Sequence, residues 1–211
     1  MVDAAADRGD PVLDRGPRGR NGHGVPARER VLSTAYELFS RRGVRAVGVD
    51  TIIDRAKVAK MTFYRHFPSK DDLVLAFLKR REQLWTEQWL EAAVMERANT
   101  PADRLLAVFD IFDEWFQRDD FEGCSFINVL LEMFDPTSVV RAASAGYLAN
   151  IRTFLRSLAK DAGAGDPDDF ARKWHILMKG CIVAAGEGDR LAARRARAVA
   201  ELLLKSQLQA G

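Results

Sequence analysis

The segment Asp50 to Lys70, DTIIDRAKVAKMTFYRHFPSK, constrains the fold more than any other part of the chain. Its apolar residues come in two short bursts, Ile52-Ile53-Ala56 and Phe63-Phe67, separated by an inward-facing Val58. Each burst is too short for a stable isolated helix, so the two must be propped against each other and against a third element. Pro68 stops the second helix, and Ser69 with Asp71 and Asp72 starts the next one, where the helix dipole favours negative charge. Around the buried Phe63 stand Lys60, Met61, Thr62, Tyr64, Arg65 and His66. A short basic helix with polar and aromatic tips, carried on a first helix, is the geometry that enters the major groove of DNA.

The rest of the chain reads as helix as well. Val31, Leu32, Ala35, Leu38 and Phe39 form one apolar stripe that ends at Arg41-Arg42-Gly43, cations in the last turn and glycine just beyond. The helix capped by Ser69 runs to about Arg97 and connects the first third of the chain to the remainder. Arg80 and Arg81 on it read as a solvated face. Further helices are expected at 101–118, 124–134, 137–160, 167–186 and 189–208, separated by DDFEG, DP, AGAGDP and GEGD. No run alternates with period two. The expected fold is all-α with about nine helices: a basic arm over 1–26, a helix-turn-helix unit over 27–72, and a helical effector-binding and dimerisation body over 73–211.

Charge follows this division. Residues 1–81 hold 17 Lys or Arg against 10 Asp or Glu, net +7, and residues 82–211 hold 15 against 20, net −5. A polyanion-facing unit on an acidic body fits that asymmetry. Arg15, Arg18 and Arg20 in the arm read as a solvated tail, with a minor-groove arm as the sharper reading. The first residues have no apolar core of a secretory signal, and no 18 apolar residues run together. Cys124 and Cys181 are far apart without metal-ligand spacing, which suits a reduced cytoplasm. No cofactor or metal is expected. His23, His66 and His175 have no nucleophile near them in sequence, so an enzyme is not expected.

The stripe Val31–Phe39, then Arg42-Gly43, then IIDRAKVAKMTFYRHFPSK and Leu73 resemble the TetR/AcrR family of bacterial transcriptional regulators over about residues 28–80. Beyond residue 80 only helix count and length agree, although GCSFINVLLE at 123–132 is similar to a helix start in one branch of that family. The resemblance implies that Thr62, Tyr64, His66 and Lys70 grip phosphates, contacts that fix register without reading sequence. Lys60 and Met61 would read bases, an ammonium suiting guanine N7/O6 and a thioether the thymine methyl. Asp50 reads chiefly as the charge at its helix N-terminus. Three positions depart from the family pattern. Lys57 stands where glycine is frequent, Ala59 where a serine cap is usual, and Met61 where the residue is frequently small. A missing serine cap costs about 1 kcal/mol.

The resemblance also implies a homodimer formed by the last two helices. Gly180 and Ala184 allow close approach, and Ala192, Ala196, Val199 and Leu203 make the stripe. A small, largely apolar effector is expected in a cavity framed by Trp85, Trp89, Phe112, Trp115, Phe126, Asn128, Tyr147, Trp174, His175 and Met178, aromatic walls with a few orienting polar groups. The expected function is a ligand-responsive repressor on a palindromic double-stranded operator. Two rivals stay open at this stage. One is a helical protein-interaction adaptor; the other is a thiol or metal sensor in which Cys124, Cys181 and His175 meet in space.

Overall fold

A computed structural model describes residues 24–208. The arm arginines and His23 lie outside the described residues. The chain forms nine helices among the described residues, with no strand. They are α1 (Ala27–Arg42), α2 (Val49–Ala56), α3 (Lys60–His66), a long α4, α5 (Pro101–Phe116), α6 (Ser125–Glu132), α7 (Val139–Asp161), α8 (Pro167–Gly186) and α9 (Ala192–Leu208). Helix α4 runs Lys70–Arg81, continues through a π-helical stretch Glu82–Glu91 and returns to α-helix over Ala92–Arg97. No helix of the described residues is long and apolar enough to cross a membrane.

Local chemistry explains most of the boundaries. Ser69 begins α4 with a full capping box: its hydroxyl accepts from the Asp72 N–H at 3.1 Å, and the Asp72 carboxylate accepts from the Ser69 N–H at 3.0 Å. Thr100 and Asp166 cap α5 and α8, each followed by proline at the first helical position. Helix α9 starts at Ala192 rather than 189, because residues 189–191 form a turn in which the Asp189 carboxylate reaches forward to accept from the Leu191 N–H at 3.0 Å. Nothing in sequence announced the π-helical stretch, which contains no glycine or proline. Its wider turn sets the phase of the inner face, so that Trp85, Thr86 and Leu90 turn inward within it and Val94 just beyond it.

One continuous apolar core runs through the molecule. Helices α1, α2 and α3 pack together, and α1 lies along α4 through Phe77, which meets Tyr36 and Phe39 edge-on at 5.4 and 5.5 Å. Helices α5 to α9 form the body, with α7 on α8 and α9 across both α5 and α8. The solvated reading of Arg80 and Arg81 is corrected here. Arg80 forms a two-pronged pair with Glu29 of α1 at 2.6 and 2.7 Å. Arg81 is 1% exposed and donates to the Tyr36 hydroxyl at 3.1 Å. Both arginines bolt the connector to α1, a role that residues 45 and 51 positions apart in sequence do not reveal.

Candidate nucleic-acid interface

Helix α3 is seven residues long and is held by one fully buried side chain, Phe63, which meets Tyr64 edge-on at 5.2 Å and packs near Phe67. With Phe63 pinned, helical geometry turns Lys60, Met61, Tyr64 and Arg65 to solvent on one face, and Thr62 and His66 sit half-buried at its edge. Met61 is 81% exposed, an isolated large apolar side chain at the centre of a basic surface. Lys60 lies 3.6 Å from Asp50, both well exposed, a pair worth little in water and readily exchanged for another anion. Asp50 stands in the first turn of α2, as its helix-end reading required.

The two departures at the turn have structural consequences. Lys57 takes a left-handed conformation, φ 52° and ψ 52°, and is the one non-glycine with positive φ among the described residues. Arg30 of α1 fixes it there, donating through Nε to the Ala56 carbonyl at 3.2 Å and through Nη2 to the Lys57 carbonyl at 3.4 Å. This arginine was not singled out from sequence, because its partners are main-chain oxygens 26 and 27 positions away. Ala59 occupies the N-cap of α3 in extended backbone with no side-chain cap. Lys70 opens α4 and is half-buried. Burial pulls its ammonium below the ordinary lysine range, and the nearby Glu132 and Asp71 carboxylates partly restore it.

In the body, the ten expected wall residues separate into groups. Trp85, Trp89, Phe112 and Trp115 form one tight cluster, with ring centroids 5.3 to 6.2 Å apart. Phe126 stacks on Tyr147 at 5.3 Å. Trp174 packs between Phe109 and Phe170, with His175 and Met178 buried beside it on α8. Asn128 is on the outside of α6, donating to the Glu122 carbonyl at 3.5 Å. Polar groups not anticipated from sequence lie close to the first two groups. The Glu82 carboxylate is buried and accepts from Thr86 at 2.7 Å and from Asn150 at 2.9 Å. Burial pushes its carboxyl up, against the pull of those two hydrogen bonds. Burial likewise raises Glu122, with Arg81 and Arg41 opposing.

His175 is buried and held neutral, its imidazole lowered to about 3 by burial, with Lys179 and Arg152 adding to the effect. The Cys181 thiol is pushed up to about 12 by burial, and Cys124 is raised for the same reason. Neither sulfur therefore has thiolate character at neutral pH. No group of three or more metal-ligating side chains occurs among the described residues.

On α8 and α9 the phase differs from the expected stripe. Ala192 and Ala196 face inward and are buried within the subunit, because α9 lies on α5 and α8. Gly180 and Val199 face outward, with Ala184 and Leu203 at the edge. Ile176, Val183 and Leu202 add large apolar side chains to that outer surface.

Comparison with known proteins agrees with this geometry. Residues 31–77 match the family described as bacterial regulatory proteins, tetR family. The transcriptional regulator AcuR of Cereibacter sphaeroides is 28% identical over 187 residues, 83% of this chain and 85% of AcuR. The crystal structure of a putative TetR transcriptional regulator from Streptomyces avermitilis superposes with a TM-score of 0.78 at 32% identity, covering 87% of this chain and 98% of that one. A TetR-family regulator from Streptomyces coelicolor gives 0.77 at 28% identity, over 86% and 90% of the two chains. With a basic, solvent-facing α3 braced by α1 and α2 and carried on an all-helical body, this chain belongs to the TetR family of transcriptional regulators.

Proposed function

We propose that the protein is a dimeric repressor that leaves a palindromic operator when a small, largely apolar molecule enters its body. The observation that carries the DNA-reading part is the exposed face of α3, with Met61 81% open to solvent among Lys60, Tyr64 and Arg65 over a fully buried Phe63. In this reading residues 27–72 are the DNA-binding unit and 73–211 the effector and dimerisation body. Thr62, Tyr64, His66 and Lys70 hold phosphates, with Arg65 beside them, and Lys60 and Met61 meet base edges.

Two copies pair through the outer surface of α8 and α9, where Ile176, Val183 and Leu202 expose apolar area that is costly to leave in water. A two-fold axis there presents two α3 helices to half-sites about one helical turn apart. The effector acts at the aromatic cluster on the π-helical part of α4, near Glu82 and Tyr147. Because Arg80 and Arg81 fasten α4 to α1, a displacement of α4 carries the DNA-binding unit with it. Release requires that the effector bind the two arrangements with different affinity.

The test begins by selecting duplexes from a random library with purified protein. Tyr64→Ala or Lys70→Ala is expected to weaken binding to all sequences alike and to lower the salt slope, by about 1 for the lysine. Lys60→Ala is expected to change sequence preference at one position in each half-site. Failure to enrich any duplex, or enrichment of sequences without two-fold symmetry, refutes the reading. Repression is read by placing the selected site in a reporter promoter, where loss of expression is the expected result.

A further inference from the structure

Helix α6 ends in a side chain that leaves the body. The Glu132 Oε2 accepts from the main-chain N–H of Arg45 at 2.7 Å, in the turn between α1 and α2. The Glu132 carbonyl also accepts from Arg45 Nη1 at 3.5 Å. The carboxylate fits over Gly43, where an added Cβ would lie 2.5 Å from Oε1. Gly43 has φ 78°, so glycine at that position serves the left-handed backbone and the close approach together.

Two neighbouring contacts tie the same region. The Arg45 guanidinium lies over the Phe134 ring at 5.5 Å, and Arg41 in the last turn of α1 pairs with Glu122, just before α6, at 3.3 Å. Phe134 is otherwise largely exposed, so the contact with Arg45 accounts for an apolar ring on the surface. The Glu132 charge also acts on Lys70 at the start of α4, partly offsetting the effect of burial on its ammonium. One carboxylate of the body thus touches the turn that leads into α2 and acts on the residue that opens α4.

We propose that Glu132 is a positioning residue for DNA binding, locking the α1–α2 turn onto α6 and so fixing the angle at which α3 is presented. The proposal rests on the reading of the protein as a DNA-binding regulator. It gives the body a route to α3 that does not pass through α4: a shift of α6 pulls directly on the turn that supports α2. A carboxylate suits this task because its bond to a main-chain N–H is charge-assisted and holds whatever side chain occupies that residue.

The test uses full-length protein, a selected duplex and an unrelated duplex of equal length. Glu132→Ala is expected to weaken binding to the selected duplex about tenfold and to leave binding to the unrelated one within twofold. The unrelated duplex reports phosphate contacts alone, which tolerate a range of α3 angles. Glu132→Gln keeps an oxygen for the Arg45 N–H and is expected to lose less than threefold. Arg45→Ala keeps the main-chain bond and is expected to stay within twofold. Amide exchange over residues 43–47 should accelerate in Glu132→Ala and remain near wild type in Glu132→Gln. Equal losses on both duplexes, or no loss on either, overturn the proposal. If no duplex can be selected, the regulator reading fails on its own account, and unchanged protection of residues 43–47 in Glu132→Ala still overturns the lock.

Discussion

Lys57 offers a test in which stability and DNA binding move in opposite directions. Its φ of 52° and ψ of 52° place a β-carbon in left-handed backbone, and Arg30 holds both flanking carbonyls, so the turn cannot relax to a cheaper conformation. Left-handed geometry costs a non-glycine residue about 1–2 kcal/mol. Glycine removes that cost but gives up roughly 0.5–1 kcal/mol of backbone entropy on folding. Lys57→Gly is therefore expected to gain about 0.5–1 kcal/mol, a rise in Tm of roughly 1–4 °C for a chain of this size. Lys57→Ala keeps the β-carbon and is expected to gain nothing. Both variants lose a cation at the turn before α3, so both should bind DNA more weakly, by the same factor, with a salt slope lower by up to about 1. Thermal unfolding followed by circular dichroism measures the first effect, at one fixed protein concentration because dimer stability depends on it. Fluorescence anisotropy at several salt concentrations measures the second. An alanine variant as stabilised as the glycine variant would show that charge, not backbone, sets the cost at Lys57, and the argument would fail.

Three further outcomes are expected. Ala59→Ser supplies the missing cap of α3 and should stabilise the protein by about 1 kcal/mol in the same unfolding assay. His175, neutral in the fold with its imidazole lowered to about 3, must take up a proton on unfolding at acid pH. Because the unfolded chain binds more protons between about pH 3 and 6.5, stability is full above that window and declines as pH falls through it. The loss is about 2 kcal/mol at pH 5, and His175→Leu should flatten the decline. Leu202→Glu, on the outer surface of α9, should yield folded monomers in sedimentation equilibrium, whereas Ala196→Glu buries a charge within the subunit and should unfold the body.

The legible parts of this protein were those governed by near neighbours in the chain. Ser69 with Asp71 and Asp72, the AGAGDP separator that holds Asp166 and Pro167, and Gly43 after two arginines announced helix ends, and each acts within about four residues. Phe63 among polar residues announced both the buried and the exposed side of α3. The aromatic content of the body was equally visible, but which rings share a cluster was not: Trp85 meets Trp115 across thirty positions. Periodicity grouped Ala192 and Ala196 with Val199 and Leu203 in one stripe, although a helix with alanines on one side and Val199 and Leu202 on the other has two apolar faces. Only packing against α5 and α8 assigned the alanine side to the core.

The sequence by itself determined the helical class, most helix limits and the residues that α3 turns outward, because caps, prolines and the 3.6-residue period act locally. Tertiary structure alone decided that Arg81 and Glu82 lie inside and that the connector passes through a π-helical stretch. It also brought Glu132 onto a turn 87 residues earlier in the chain. Those outcomes depend on which surfaces meet after the helices dock, and a carboxylate looks the same in sequence whether its partner is water or a main-chain N–H from a distant part of the chain.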